Sequence, residues 1–200
     1  MTLRWDTRSR VSTGVQSWMY GVTTDPDYGA YESIATITVG TATPYATFSD
    51  IPQTYKHLQF RIMARTTRSG ALATLSFKFN ADAGANYSVH NLTGEGTAAS
   101  SSGYASVAAD YTMACRPGAA GSAANLFGVS IFDVLDYTNT NKYTTTRTLT
   151  GVDQNGTGGY LYFSSGNWRN SAAITEVSFF DSSFNNVAVG SHFALYGIKG

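Results

Sequence analysis

From Tyr31 to Ile198 the apolar residues recur at every second position in short runs, and no helical repeat competes with them. That alternation is what a half-buried strand imposes, because successive side chains point to opposite faces of a sheet. The clearest run is 57–65, where Leu58, Phe60, Ile62 and Ala64 are placed to face a core and Gln59, Arg61, Met63 and Arg65 to face outward. Leu75, Phe77 and Phe79 alternate with Ser76, Lys78 and Asn80 in the same way. Segments 34–39 and 45–48 flank a turn at 40–44 and predict a hairpin.

Further runs are predicted as strands over 104–115, 126–137, 143–152, 160–163, 174–180 and 192–198, giving nine or ten short strands between Gly, Asn and Ser turns. The almost unbroken apolar run at 126–137 is expected in the middle of a sheet. With no βαβ alternation, the expected fold is all-β, an antiparallel sandwich of jelly-roll type. The Gly, Ala and Ser run at 94–102 has little to bury and predicts a long loop at one end of the sandwich.

A chain of 200 residues fits one such domain. Its surface chemistry is unusual, since only 13% of residues are charged, about half of the ordinary share. Lys and Arg number 13 against 13 Asp and Glu, so no net field draws phosphate or anionic lipid, and nucleic acid is not an expected partner. Hydroxyls and amides keep such a surface wet, which suits packing in a lattice or contact with neutral glycans. The single Cys115 excludes an intrachain disulfide framework and reads as a small buried hydrophobe. Residues 1–10 hold three arginines with no apolar stretch behind them, and no apolar run approaches a membrane span, so synthesis in a cytoplasm without membrane insertion is expected.

Residues 1–30 differ from the rest. Arg4, Trp5, Arg8, Arg10, Trp18 and Tyr20 alternate with turn-formers and show no hydrophobic period, so this segment cannot build a core of its own. Arg, Trp and Tyr are also the residues that anchor interfaces best, which makes the segment a candidate arm that docks on a partner. A leader, or a strand that closes the domain, is the plainer alternative. The division expected is therefore an arm at 1–30 and a sandwich at 31–200.

Catalytic groups are scarce. His57, His90 and His192 stand far apart at no metal-ligand spacing, and neither a Gly-x-Ser-x-Gly elbow nor a phosphate-binding Gly-x-x-x-x-Gly-Lys loop occurs. Asp133 and Asp136 are the only carboxylate pair that invites a glycosidase or calcium reading. Three positions apart on a strand they face opposite ways, so buried Asp residues bonded locally are the more ordinary account. No catalytic residue, metal site or cofactor is expected, and the protein reads as non-enzymatic. The aromatics suggest more: Trp168, Tyr160 and Tyr162, with Asn167 beside them, form a candidate glycan-stacking group, against the alternative that Trp168 packs in a core edge.

Several stretches carry a resemblance. Tyr31-Glu32-Ser33-Ile34-Ala35-Thr36, the block Phe48-Ser49-Asp50-Ile51-Pro52-Gln53-Thr54-Tyr55-Lys56-His57-Leu58-Gln59, and Phe79-Asn80 with Asn86-Tyr87-Ser88 are similar to virion structural proteins of tailed bacteriophages, especially marine and cyanobacterial ones. So are Asp133-Val134-Leu135-Asp136-Tyr137-Thr138-Asn139-Thr140-Asn141-Lys142-Tyr143, Trp168-Arg169-Asn170-Ser171-Ala172-Ala173-Ile174-Thr175 and the ending Phe193-Ala194-Leu195-Tyr196-Gly197-Ile198. The resemblance covers about residues 31–200 and contains no catalytic motif. It implies a sandwich displayed on a virion surface, as a capsid decoration or cement protein, a head fibre or a tail-fibre adhesin for host surface glycan. The implied partners are the major capsid or tail protein and further copies of the chain, with a threefold cluster suited to its shape.

Overall fold

The computed structural model describes residues 30–156 and 158–200. Among them, eleven antiparallel strands form two sheets. The large sheet runs β1 (Tyr31–Thr38), β11 (His192–Ile198), β3 (His57–Ala64), β7 (Gly128–Leu135), β8 (Thr144–Asp153), β9 (Gly159–Trp168), β5 (Tyr87–Glu95) and β6 (Ala98–Val107). The small sheet is β2 (Ala46–Phe48), β10 (Val177–Asp181) and β4 (Leu75–Phe79).

The first and last strands pair with each other, and the second pairs with the second-last in the opposite sheet. This nested winding is that of a jelly roll, so the all-β sandwich expected from the alternation is the observed fold. At the free edge of β4 the chain returns once more, with Leu75 bonded to Ala114 and Cys115, where a fourth strand of the small sheet would lie. The large sheet is the wider of the two, with eight strands against three.

Phenylalanines join the layers. Phe60, Phe132 and Phe193 rise from β3, β7 and β11 to meet Phe48, Phe77, Phe79 and Phe179 from the small sheet, and all seven are buried. The alternation in β3 holds as expected, with Leu58, Phe60, Ile62 and Ala64 inside. β7, from the long apolar run, has β3 on one side and β8 on the other, in the middle of the sheet.

Three expectations are corrected. Segments 34–39 and 45–48 are not a hairpin: β1 belongs to the large sheet and β2 to the small one, so the turn between them crosses the sandwich. Residues 94–102 are not a loop, because β5 and β6 form a hairpin whose pairing runs from Glu95↔Ala98 to Tyr87↔Val107. β6 is exposed along nearly its whole length. Backbone pairing to β5 holds it at the sheet edge without any apolar face of its own, and small polar side chains suit an edge that water must cover. The strand expected at 104–115 stops at Val107, and a 3-10 turn at Ala109–Tyr111 leads the chain across the sandwich.

On the outer face of the large sheet a polar ladder spans three strands. Gln59 Nε2 donates to Asp133 Oδ1 at 2.9 Å, and Arg147 Nη2 donates to Asp133 Oδ2 at 2.7 Å. Asp133 is buried while Arg147 is largely exposed, so the carboxylate's own burial sets what the ladder is worth. Asp133→Ala removes the acceptor from two donors and is expected to lower unfolding free energy by about 1–3 kcal/mol in a urea titration. Unchanged stability in that titration would mean that water replaces the carboxylate at no cost.

Candidate functional site

The small sheet reaches β5 and β9 only at their Tyr87 and Trp168 ends, where both side chains pack on Phe79, and toward Glu95 and Tyr160 the inner face of β9, β5 and β6 has no second sheet above it. The crossing segment that includes Asp110, Tyr111, Met113 and Arg116 covers it only in part. Between them lies an open cleft of about 630 Å³ with a largely polar lining.

Period two on β9 puts Tyr160 and Tyr162 on the cleft floor, their ring centroids 5.8 Å apart and planes within 20°. The Arg116 guanidinium lies over both rings, 5.1 Å from Tyr160 and 5.7 Å from Tyr162. Arg116 Nη1 donates to Thr74 Oγ1 at 2.7 Å, and its backbone N–H donates to Thr150 Oγ1 at 2.9 Å. The Tyr160 hydroxyl donates to Glu95, and this bond to the carboxylate, with burial second, raises the phenol above its ordinary value. Asn91 accepts from Ser164 Oγ at 2.7 Å on the same floor. At the rim Tyr104 and Tyr111 face each other at 5.8 Å and remain about half exposed.

Two residues that line this cleft each hold a buried polar atom without a hydrogen-bond partner, Asp110 Oδ1 and Arg116 Nε. One only accepts and the other only donates. Unpaired buried groups are uncommon in folded proteins because leaving them so costs free energy.

Of the residues singled out for glycan stacking, only Tyr160 and Tyr162 lie in this cleft. Trp168 points to the same side of β9 but sits at its far end, under the small sheet. It is 1% exposed, packs its ring 5.5 Å from Phe79 and donates Nε1 to Asp82 Oδ2 at 2.8 Å. A ring so enclosed offers no face to a sugar, and the core-edge account applies to it. Asn167 has the opposite parity and belongs to the outer face. Arg4, Trp5, Arg8, Arg10, Trp18 and Tyr20 lie outside the described residues.

Asp133 and Asp136 are served separately. Asp133 pairs with Arg147, and Asp136 pairs with Lys142 and with Lys56 at 3.0 Å. Hydrogen bonds from the two lysines hold the Asp136 carboxyl down at about 2. Among the described residues no three His, Cys, Asp or Glu side chains gather as a metal set would require, and no helix is long and apolar enough to cross a membrane. Cys115 is buried and its thiol is pushed up to about 12 by burial, which keeps it protonated and unreactive.

Asp110, Tyr111 and Arg116 carried no signal in sequence, and neither did Tyr104, which β6 brings to the rim through its pairing with β5. The first three are far from Tyr160 along the chain, and only the crossing segment's path brings them to β9.

The outer face holds a second feature. Leu92, Phe163, Leu149 and Ile131 stand in one cross-strand row over β5, β9, β8 and β7, and Leu161, Val129 and Met63 form the next. Each is 42–58% exposed. Gly151 interrupts the second row, and a shallow hollow of about 590 Å³ opens there. Set against protein-family models, curated proteins and solved structures, the chain matches none of them.

Proposed function

We propose that this chain is a non-enzymatic structural module on the exterior of a tailed-phage particle, a decoration, cement or fibre protein whose residues 1–30 anchor it to the major capsid or tail protein. The observation that carries the reading is the apolar band on the outer face of the large sheet. Seven large apolar side chains exposed together form a patch of the kind that soluble monomers reserve for contact with other subunits. Its occupant is a second copy of the chain, because the seven side chains are uncharged, Arg61 at the end of the first row being the one charged group of the hollow's lining, and self-association of identical patches closes by symmetry. The low charge of the whole chain and its resemblance to virion proteins agree with this.

The purified protein is expected to run as a dimer or trimer in light scattering, and Leu149→Glu, which puts a charge at the centre of the band, is expected to return it to monomer with its fold unchanged. A wild-type monomer at high concentration, together with absence of the chain from purified virions, would overturn the reading. The polar cleft favours a second one, a receptor-binding module on the same particle, since its aromatics and hydrogen-bonding groups face away from the band.

A further inference from the structure

Resting on the receptor-binding reading, we infer that the cleft over β9, β5 and β6 is a binding site for a neutral glycan, one whose pyranose rings carry adjacent free hydroxyls. The chemistry follows from what the cleft leaves unpaired. Asp110 Oδ1, which only accepts, and Arg116 Nε, which only donates, are buried and unpaired, and both residues line this cleft. A sugar hydroxyl is donor and acceptor at once, so a ring with adjacent hydroxyls suits a lining that offers both an acceptor residue and a donor residue, whereas a carboxylate, phosphate or sulfate only accepts.

Charge points the same way. The cleft holds two carboxylates, Asp110 and Glu95, against the single guanidinium of Arg116. Arg116 is already engaged by Thr74 and by the faces of Tyr160 and Tyr162, so an anion entering here meets a net negative lining. A neutral ring meets none of that repulsion. Its apolar C–H face has the half-exposed rings of Tyr104 and Tyr111 to lie on, and its edge reaches the hydroxyl and amide groups of Asn91, Thr93 and Ser102 on the floor.

The shape of the site also sets a length. The cleft is open along the sheet edge, where β6 carries only small side chains in its first half, so a polysaccharide can continue past either end of the bound residues. An interior-chain binder is expected rather than one that caps a terminal sugar.

The test uses the full-length protein on an array of neutral glucans, mannans and galactans beside sialylated, uronic-acid and sulfated glycans, with adsorption to phage-susceptible bacteria measured in parallel. Binding to at least one neutral glycan is expected. Tyr111→Ala and Asp110→Asn are each expected to weaken it tenfold or more, whereas Leu149→Glu on the opposite face leaves per-chain binding unchanged when presented at equal surface density. Thermal unfolding of each variant guards against loss through misfolding, and Tyr111 is exposed enough to be truncated without a cavity. If the protein adsorbs to cells and the cleft variants adsorb equally well, the receptor-binding reading stands and the glycan site is wrong. Binding confined to anionic glycans overturns the charge argument and with it the proposed ligand class. A protein that binds neither cells nor any glycan removes both readings together.

Discussion

Phe179→Ala is expected to lower the stability of the sandwich by about 3–5 kcal/mol, a large share of the roughly 5–15 kcal/mol that holds a domain folded. Phe179 is the one ring of the small sheet in contact with all three core phenylalanines of the large sheet. Its centroid lies 5.1 Å from Phe60, 5.5 Å from Phe193, 5.9 Å from Phe132 and 6.4 Å from Phe48. The first three belong to β3, β11 and β7 of the large sheet, so the ring ties one layer to the other through three neighbouring strands. Truncation opens a cavity where no segment can relax inward, because the sheets on both sides are held apart by the remaining rings.

The control is Phe180→Ala, one residue away on the other face of the same strand. Phe180 packs against Tyr45 and the largely exposed Phe184, so its neighbours can move and water can fill the gap. A clearly smaller loss is expected there in equilibrium urea unfolding. Equal losses for the two variants would mean that β10 is held by its backbone pairing and that the aromatic bridge between layers adds little.

The sheet elements that were legible in sequence are those whose burial is one-sided. His57–Ala64 alternates because one face meets the phenylalanine core and the other meets water, and that contrast is written into Leu58, Phe60 and Ile62 against Arg61 and Met63. β6 is exposed on nearly every side chain, so it has no contrast to write, and its Ser, Ala and Gly residues look like a loop. What makes it a strand is the hydrogen bonding of β5 beside it, which no local pattern reports. The same limit explains the mistaken hairpin: alternation says that 34–39 and 45–48 are strands but not that they sit in different layers. The cleft was half legible. Tyr160 and Tyr162 share a strand face that the alternation shows, whereas Arg116 and Asp110 join them through a crossing segment whose course depends on close approaches such as Gly128, where a Cβ would lie 2.1 Å from the Arg116 carbonyl oxygen.

Trp168 shows what the pattern could not decide, and it is the site of the second large effect. Trp168→Ala is expected to cost about 3–5 kcal/mol, because the indole is fully enclosed between β9 and the β4–β5 connection. It also removes a donor from Asp82. Burial pushes the Asp82 carboxyl up, but hydrogen bonds from Asn86, from Trp168 and from the Gly84 backbone outweigh it and leave the group below its ordinary value. A depressed folded-state value means that Asp82 contributes stability in full above the ordinary carboxylate range, about pH 4, and loses it as pH falls through the lower folded value. Trp168→Phe keeps a ring in the site and deletes the N–H, so its loss at neutral pH is expected to be smaller, roughly 1.5–3 kcal/mol for a hydrogen bond to a charged acceptor. The difference between wild type and Trp168→Phe should then narrow below pH 4, as protonation of Asp82 weakens the bond that the variant already lacks. Urea midpoints at pH 7 and pH 3 measure this directly. A gap that stays constant with pH would place the stabilisation in ring packing alone, and a Trp168→Phe protein of full stability that no longer adsorbs to cells would return the tryptophan to a binding role.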